Sequence, residues 1–425
     1  MCLVTIAGQE RAEVDYFALS YVWGGGPKEF VLTSRRLRRY CRHQGLPTLP
    51  KTISDAVTLT KKMGKRYLWV DSLCIVSNDP QDKAIQIPAM TSVYGNAMLT
   101  IIAAAGEDAD HGLPGLGSFR PGHKVADLGR YQIVESYLSA SQRSIQGTTW
   151  ATRAWTYQEL LLSGRCLIFL ETHVEWLCRC TEWFEQFDFE HPNFNFKSTW
   201  LEPEQPLGLY ISNYEVFVGE YTRRNLTFET DIVDAFAGIM AAIDDELFWG
   251  IPYSRFCQFL AWVVNVVPSA DNPDQRRDCG LPIPSWSWLS WRGEIVFSYG
   301  KSLLAVYRWR SGQLEQICTP QVASLFGKSD HRQIWYDGSD WTVRVGDLPS
   351  DVTLNENQLI FWAPTVANST QKEREYVIIG ESFNDEMIAL SVTCSDKIAT
   401  RVGRFDFNRK DVPFGDVVKK LIIME

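Results

Sequence analysis

The chain lacks the short motifs that mark several large enzyme classes. Its 425 residues contain no G-x-x-x-x-G-K-[ST], no H-E-x-x-H, no G-x-S-x-G and no protein-kinase signature set. These absences leave a nucleotide triphosphatase, a zincin, a serine hydrolase and a kinase without support. Gly24, Gly25 and Gly26 follow an apolar segment but do not meet the G-x-G-x-x-G spacing, so a flexible turn and a phosphate cradle both stay open.

Histidine is also scarce. None of the six histidines stands beside a candidate nucleophile, which disfavours Ser/His and Cys/His catalysis. Cys178 and Cys180, with Cys166 and His173 nearby, suggest zinc, but a second well-spaced ligand pair is missing. We therefore expect no metal, and carboxylates remain as the candidate catalytic groups.

Positive charge and long apolar runs are missing as well. The formal net charge of −9 argues against counterion-release binding, so we expect no nucleic-acid partner. The longest apolar stretch, at 259–267, is far below the roughly 18–20 residues that cross a bilayer, so we expect no membrane anchor. The ten cysteines are scattered and MCLVTIAGQER is too short and too soon charged for a secretory leader, which favours reduced thiols in a cytoplasmic protein.

What the chain does contain is an alternation of strand and helix signals. Apolar, β-branched and aromatic segments at 16–23, 67–70 and 99–105 predict buried strands, and helical periodicity lies between them. Thr52 and Asp55 have the spacing of a capping box at the start of one such helix. Strands separated by helices predict a mostly parallel sheet covered by helices on both faces, hence an α/β fold.

The later part of the chain has a different character. Helical patterns occur near 208–222, 231–243 and 254–266, and strand patterns dominate from residue 284. We predict three regions: an α/β domain at 1–185, a helical connector at 186–270 and a β-rich C-terminal region at 271–425. The 16 tryptophans indicate large cores and aromatic-lined pockets rather than a dedicated ligand surface.

Three features fall at one predicted edge of the parallel sheet, where such sheets bind ligands. Trp23 and Gly24 follow the first strand, and Asp71 follows the second. The helical segment at 153–162 follows the third strand and is expected to point to the same edge. Asp71 has two open interpretations: a structural carboxylate that bonds loop amides, or a ligand-binding group.

The helix at 153–162 carries the strongest chemical signal. Trp155 and Glu159 are four residues apart and so share a helix face, with Arg153 and Gln158 close enough to orient a polar group. An adjacent indole raises the pKa of the Glu159 carboxyl by desolvation, whereas an adjacent arginine lowers it. The residues alone favour an ordinary core with a salt bridge over a ligand site, and both interpretations stay open.

Several segments together resemble the fungal HET (heterokaryon incompatibility) domain. The resemblance covers about residues 16–180 in order and spacing, and its segments are YFALSYVWG (16–24), LPKTISDAVTLTKKMGKRYLWVDSLCI (49–75), AMTSVYGNAMLTIIAA (89–104), GLPG (112–115) and RAWTYQELLLSGRCLIF (153–169). YTRRNLTFETDIVDAFAGI (221–239) and PSWSWLSW (284–291) resemble segments that commonly follow the domain. One departure is Ser77, where the family usually has Gln.

The HET resemblance also implies a distant similarity to TIR domains, which have a flavodoxin-like fold. WTYQEL (155–160) is similar to the W-C-x-x-E-L stretch of TIR domains, in which the Glu is catalytic in members that cleave NAD. This carry-over nominates Glu159 alone. Tyr21, Trp23, Gly24, Asp71, Arg153 and Trp155 are added as ligand-binding candidates because of their places at the sheet edge.

The resemblance implies a fungal protein that restricts fusion between unlike cells through programmed cell death, a form of innate immunity. We expect a TIR-like NAD glycohydrolase, with NAD as substrate and no bound cofactor. The alternative is a non-enzymatic module that signals by self-association, in which Glu159 and Arg153 form a structural ion pair. In either case the expected protein partner is a second copy of the chain or another incompatibility protein.

Overall fold

The structure is a computed structural model. It describes residues 1–6, 14–25, 29–117, 120, 125–127, 129, 132–134, 145–185, 213–265, 276–297, 300–302, 305–311, 313–318, 359–367, 374–382, 386–395, 398–408 and 417–424. The chain divides into two units. Unit 1 comprises Met1–Leu209 and Arg224–Ala242, and unit 2 comprises Tyr210–Arg223 and Ile243–Glu425. The boundaries predicted at residues 185 and 270 stay predictions.

The described residues form the following elements. The helices are α1 (Ser34–Tyr40), α2 (Lys51–Lys62), α3 (Asp71–Cys74), α4 (Pro80–Asn96), α5 (Ala154–Leu162), α6 (Tyr214–Thr222), α7 (Asp234–Ala242) and α8 (Phe256–Phe259). The strands of unit 1 are β1 (Tyr16–Tyr21), β2 (Tyr67–Val70), β3 (Leu99–Ala103), β4 (Val125–Asp127), β5 (Gln132–Val134), β6 (Arg165–Phe169), β7 (Val174–Cys178) and β8 (Glu182–Phe184). Those of unit 2 are β9 (Leu247–Phe248), β10 (Ile251–Pro252), β11 (Trp262–Asn265), β12 (Glu294–Phe297), β13 (Gly300–Ser302), β14 (Ala305–Arg310), β15 (Gln313–Cys318), β16 (Leu359–Ala367), β17 (Arg374–Ser382), β18 (Glu386–Ser395), β19 (Ile398–Asn408) and β20 (Val417–Met424).

The main sheet of unit 1 has the order β2-β1-β3-β6-β7-β8. Its first four strands are parallel, and β7 and β8 continue it in antiparallel pairing. When the four parallel strands are numbered by their order in the chain, their order across the sheet is 2-1-3-4. The flavodoxin-like doubly wound fold has the order 2-1-3-4-5, so its first four strands are arranged in the same way. The predicted α/β class with a mostly parallel sheet is confirmed.

Helices cover both faces of this sheet, and the side chains of β1 point alternately to one face and the other. Phe17, Leu19 and Tyr21 join a core with residues of α2. Ala18 points the other way and packs with Met90 of α4. The period of two therefore directs Ser20, which follows Ala18 by two residues, to the face that carries α4 and α5.

Unit 2 is rich in strands, as predicted. Its largest sheet has the order β13-β17-β18-β19-β20-β16-β14-β15, and an additional pairing of β16 with β17 closes five of these strands into a ring. The region predicted as helical contributes α6 and α8 to this unit and α7 to unit 1.

Tryptophans of unit 2 supply core volume and hydrogen bonds at once. Trp286 and Trp288 are fully buried, and Trp288 Nε1 donates to the carbonyl of Gly250 at 2.8 Å. Trp262 Nε1 donates to the carbonyl of Trp286 at 3.0 Å, and the buried Arg401 guanidinium lies 3.4 Å above the Trp262 ring. In this unit, as expected from composition, the indoles build a core.

Two local expectations are wrong. Thr52 and Asp55 do not form a capping box, because α2 has no side-chain cap and both side chains instead accept backbone N–H groups of the later loop, at Gly112 and Leu113. Cys257 is disulfide-bonded, so the expectation of reduced thiols fails for that residue. Within the described ranges, no helix is both long and apolar enough to cross a bilayer.

The buried face of β3 provides a stability test with a matched control. Ile101 is 0% exposed in the core beneath α2, whereas Ile85 on α4 is 68% exposed. Ile101→Ala leaves a cavity and should lower the free energy of unfolding by about 2–5 kcal/mol. Ile85→Ala should change it by less than about 0.5 kcal/mol. Urea unfolding of both variants measures the difference, and equal effects would contradict the assigned core.

Candidate functional site

Two carboxylates, an indole and an arginine lie around the carboxyl-terminal end of β1. The first carboxylate belongs to Asp71, which directly follows β2 as the first residue of α3. Its Oδ2 accepts a hydrogen bond from Trp23 Nε1 at 2.8 Å, and its Oδ1 accepts from the backbone N–H of Ser72 at 2.6 Å. Parallel pairing of β1 with β2 explains this meeting, because residues after neighbouring parallel strands share one edge.

The second carboxylate, Glu159, lies inside the fold. Its residue is only 5% exposed in the middle of α5. Glu159 Oε2 accepts a short hydrogen bond from the hydroxyl of Ser20 on β1. The hydroxyl oxygen of Ser20 in turn accepts from Trp150 Nε1 at 2.8 Å. Glu159 therefore ends a buried chain of hydrogen bonds that starts at an indole with no exposed surface.

Both carboxyl groups have raised pKa values. Burial, and after it the negative charge of Asp71, raise the pKa of Glu159 to about 7, and the Ser20 hydrogen bond opposes the shift. Burial also raises the pKa of Asp71 to about 6, against the hydrogen bonds from Ser72 and Trp23. The ionisation state of Asp71 therefore influences the pKa of Glu159.

Arg153 holds the positive charge of the site. It directly precedes α5, and its Nη1 donates to the carbonyl of Tyr21 at 3.1 Å. Its charge lowers the pKa of both Asp71 and Glu159, although less than burial raises them. A cation beside two partly desolvated carboxylates offsets part of their cost of ionisation.

Tyr21 and Gly24 have strong local constraints. The Tyr21 ring is buried and its hydroxyl donates to Ser72 Oγ at 2.8 Å, so burial raises its pKa far above the ordinary value. Gly24 has φ +70°, and a Cβ there would meet the Cβ of Asp108 at 2.4 Å. Close packing of the loop after β3 thus accounts for this glycine without a bound phosphate.

Trp155 is joined to a different part of unit 1. Its Nε1 donates to Asp231 Oδ2 at 3.2 Å, and the ring packs beside Tyr94 and Leu162. Within the described residues, the Trp155 indole makes no hydrogen bond to Asp71, Trp23 or the Glu159 carboxylate. The structure therefore brings together Tyr21, Trp23, Gly24, Asp71, Arg153 and Glu159, and directs the Trp155 indole elsewhere.

Besides Ser72, three residues of the hydrogen-bond network around Glu159 were not among the predicted site residues. Ser20 is 1% exposed and had a visible signal, since it is a polar residue inside an apolar strand segment. Tyr94 interacts with Glu159 and lowers its pKa, but its helical spacing indicated only core packing. Trp150 lies in a segment without periodicity, which gave no signal.

The remaining predicted features have structural contacts. Ser77, the departure from the HET pattern, donates its hydroxyl to the carbonyl of Leu32 at 2.8 Å. His173 contacts Glu175 at 2.9 Å, and Cys166 and Cys178 are free thiols on paired strands. In the part of the chain that the structure describes, no group of three or more His, Cys, Asp or Glu side chains could hold a metal ion.

The comparison with known proteins bears on this same region. Residues 16–159 match the model of a family described as heterokaryon incompatibility protein (HET). The match starts at the first residue of β1 and ends at Glu159. Neither a curated protein nor a solved structure matches the chain.

The raised pKa of Glu159 predicts a pH-dependent effect on stability. The folded state, with a pKa of about 7, binds more protons than an unfolded glutamate near 4.5, so stability falls as pH rises between these values. Glu159→Gln stays neutral. We expect it to be more stable than the parent by about 3 kcal/mol at pH 8, with little difference at pH 4.5.

Urea unfolding at pH 4.5, 6, 7 and 8 measures this difference. Glu107→Gln, at an exposed residue after β3, is the control and should show no such trend. A gap between Glu159→Gln and the parent that does not grow with pH would contradict the burial of an ionisable Glu159.

Proposed function

From the premise that residues 16–159 form a HET domain, the domain of heterokaryon incompatibility proteins, we propose that this protein cleaves the bond between nicotinamide and ribose in NAD. The observation that supports the proposal is the pairing of the buried Glu159 with Asp71 at the carboxyl edge of a doubly wound sheet. Ligands bind at this edge in open α/β sheets, and paired carboxylates serve glycosidic chemistry.

In the proposed reaction, water adds to the ribose carbon as its bond to nicotinamide breaks. The products are ADP-ribose, nicotinamide and a proton. The ribose develops positive charge in the transition state, and the ionised Glu159 carboxylate stabilises that charge or holds the ribose hydroxyls. A substrate hydroxyl would replace Ser20 as the hydrogen-bond donor to Glu159.

The other residues have proposed roles that follow from their exposure and charge. Trp23 is partly exposed and is a better stacking surface than the buried Tyr21. Arg153 is partly exposed and would meet a phosphate of the substrate. Asp71 would bind ribose hydroxyls and, by its charge, set the proton affinity of Glu159. For Trp155, the bond to Asp231 favours a structural role.

A second candidate function is a non-enzymatic module that signals by self-association. The burial of Glu159 and its hydrogen bond to Ser20 favour this candidate, because an acid satisfied inside the fold needs no substrate. Under either candidate we propose a cytoplasmic fungal protein of programmed cell death and innate immunity. Its proposed protein partner is a second copy of itself or another incompatibility protein.

NAD loss with the purified protein tests the first candidate. Glu159→Ala and Glu159→Gln should each lower the rate by about 100-fold or more, because one electrostatic group at the reacting centre is removed. Glu107→Gln changes an exposed carboxylate after β3 and should leave the rate unchanged. Equal rates in the parent and the Glu159 variants would remove Glu159 from the reaction. Concentration-dependent assembly without NAD loss would instead support the second candidate.

The pH profile of kcat/KM gives an independent check. Glu159 acts ionised, so activity should fall as pH falls below about 7. The negative charge of Asp71 raises the pKa of Glu159, so Asp71→Asn should move this acid limb to lower pH even if total activity drops. An acid limb at the same pH in Asp71→Asn would show that the two carboxyl groups are not coupled.

A further inference from the structure

The helix that carries Glu159, α5, is too short to be stable without contacts to the rest of unit 1. The nine residues of α5 are fewer than the roughly 12–15 at which an isolated helix becomes marginally stable. Its first turn also has no side-chain cap. Its place in unit 1 therefore depends on what packs against it.

A segment some 70 residues later in the sequence accepts the backbone N–H at the start of α5. Arg224–Ala242, here called the return segment, belongs to unit 1 although residues 210–223 before it belong to unit 2. The carbonyl of Asn225 accepts the N–H of Ala154, the first residue of α5, at 3.0 Å. The N–H of Asn225 donates to the carbonyl of Thr152 at 2.6 Å, which forms a short parallel bridge around Arg153.

The return segment also adds charge and ring contacts at the same end of α5. The Arg224 guanidinium lies 4.5 Å from the centre of the Tyr157 ring, a cation–π contact. Its Nη1 is 3.3 Å from the carbonyl oxygen of Arg153 and 3.3 Å from Thr156 Oγ1. Two consecutive residues, Arg224 and Asn225, thus fix the first turn of the helix.

Two side chains of α5 extend this contact towards Glu159. Trp155 donates to Asp231, and Gln158 Oε1 accepts the backbone N–H of Gly238 at 3.2 Å. Gln158 is buried and directly precedes Glu159. A displacement of Gln158 would therefore move the catalytic candidate with it.

Gly238 on α7 lies close to both α4 and α5. A Cβ at this residue would meet Thr91 Oγ1 at 2.6 Å, Leu162 Cδ1 at 2.7 Å and Gln158 Oε1 at 2.8 Å. The three atoms enclose the glycine on the sides of α4 and α5. Glycine is needed here for space rather than for a special backbone angle.

We propose that the return segment positions α5, and that Asn225, Asp231 and Gly238 are positioning residues for Glu159. The family match ends at Glu159, so these residues lie outside it. The kinetic part of the inference rests on the proposed NAD cleavage, whereas the positioning itself does not.

Gly238→Ala is the first test, with Gly95→Ala as its matched control. A Cβ at Gly95, which lies on α4, meets its nearest atom at 3.9 Å, an ordinary contact. In Gly238→Ala we expect kcat to fall about tenfold or more with little change in KM, because the reacting group is misplaced after binding. Amide hydrogen exchange across 154–162 should become faster. In Gly95→Ala, kcat, KM and the exchange rates should stay unchanged.

The pKa of Glu159 gives a second measurement, which does not require catalysis. It is measured by carbon NMR of labelled glutamate side chains, and the Glu159 signal is assigned with Glu159→Gln. Burial is the largest cause of its raised pKa, so a displaced α5 should lower that pKa towards the ordinary value. Asp71 on α3, Arg153 before α5, Tyr94 on α4 and Ser20 on β1 are the other groups that act on the pKa of Glu159. An unchanged titration and unchanged exchange in Gly238→Ala would overturn the proposal.

Asp231 provides a second test that does not depend on the folding of Gly238→Ala. Asp231→Ala removes the acceptor for Trp155 and should speed exchange in α5, whereas Asp231→Asn keeps an acceptor oxygen and should restore it. Failure of Asp231→Asn to restore protection would remove the Trp155 bond from the mechanism. Absence of NAD cleavage by the parent would refute the proposed function, while exchange and titration would still decide whether the return segment positions α5.

Discussion

The desolvation of two acidic side chains at one sheet edge is the constraint on which the site of unit 1 depends. Burial makes the ionised forms of Glu159 and Asp71 costly, and the negative charge of Asp71 makes the ionised form of Glu159 more costly still. The fold offsets this cost with donors that it places beside them. These donors are Ser20 for Glu159, and Trp23 and the Ser72 amide for Asp71. Arg153 lowers the pKa of both acids by its charge, so it is the group whose removal would affect both.

The sheet topology supplies these donors without long loops. Parallel neighbours β2, β1 and β3 end at the same edge, which brings Asp71 to Trp23 and Gly24 to Asp108. The alternation along β1 then sends Tyr21 to Ser72 on one face and Ser20 to Glu159 on the other. Strand order and the alternation of side chains along β1 thus place most of the site. They do not determine the position of α5.

Much of unit 1 could be predicted from the sequence because its signals are local. The apolar segment at 67–70 became a strand with the same bounds, and Trp23 and Asp71 meet at the carboxyl ends of neighbouring parallel strands, as predicted. Long-range contacts could not be predicted. Thr52 and Asp55 have the local spacing of a cap, yet tertiary contact gave their oxygens to a loop some 60 residues away. Trp155 shares a helix with Glu159, but its partner Asp231 is 76 residues away in sequence.

Unit 1 is discontinuous in the chain, and this limits how it can be exchanged as a genetic module. A gene fragment that ends at the family match or at residue 185 would encode every predicted site residue. Its product would nevertheless lack the carbonyl that takes the Ala154 amide and the carboxylate that takes the Trp155 indole. Recombination that transplants this domain intact must carry Arg224–Ala242 along, together with the stretch of unit 2 that precedes it.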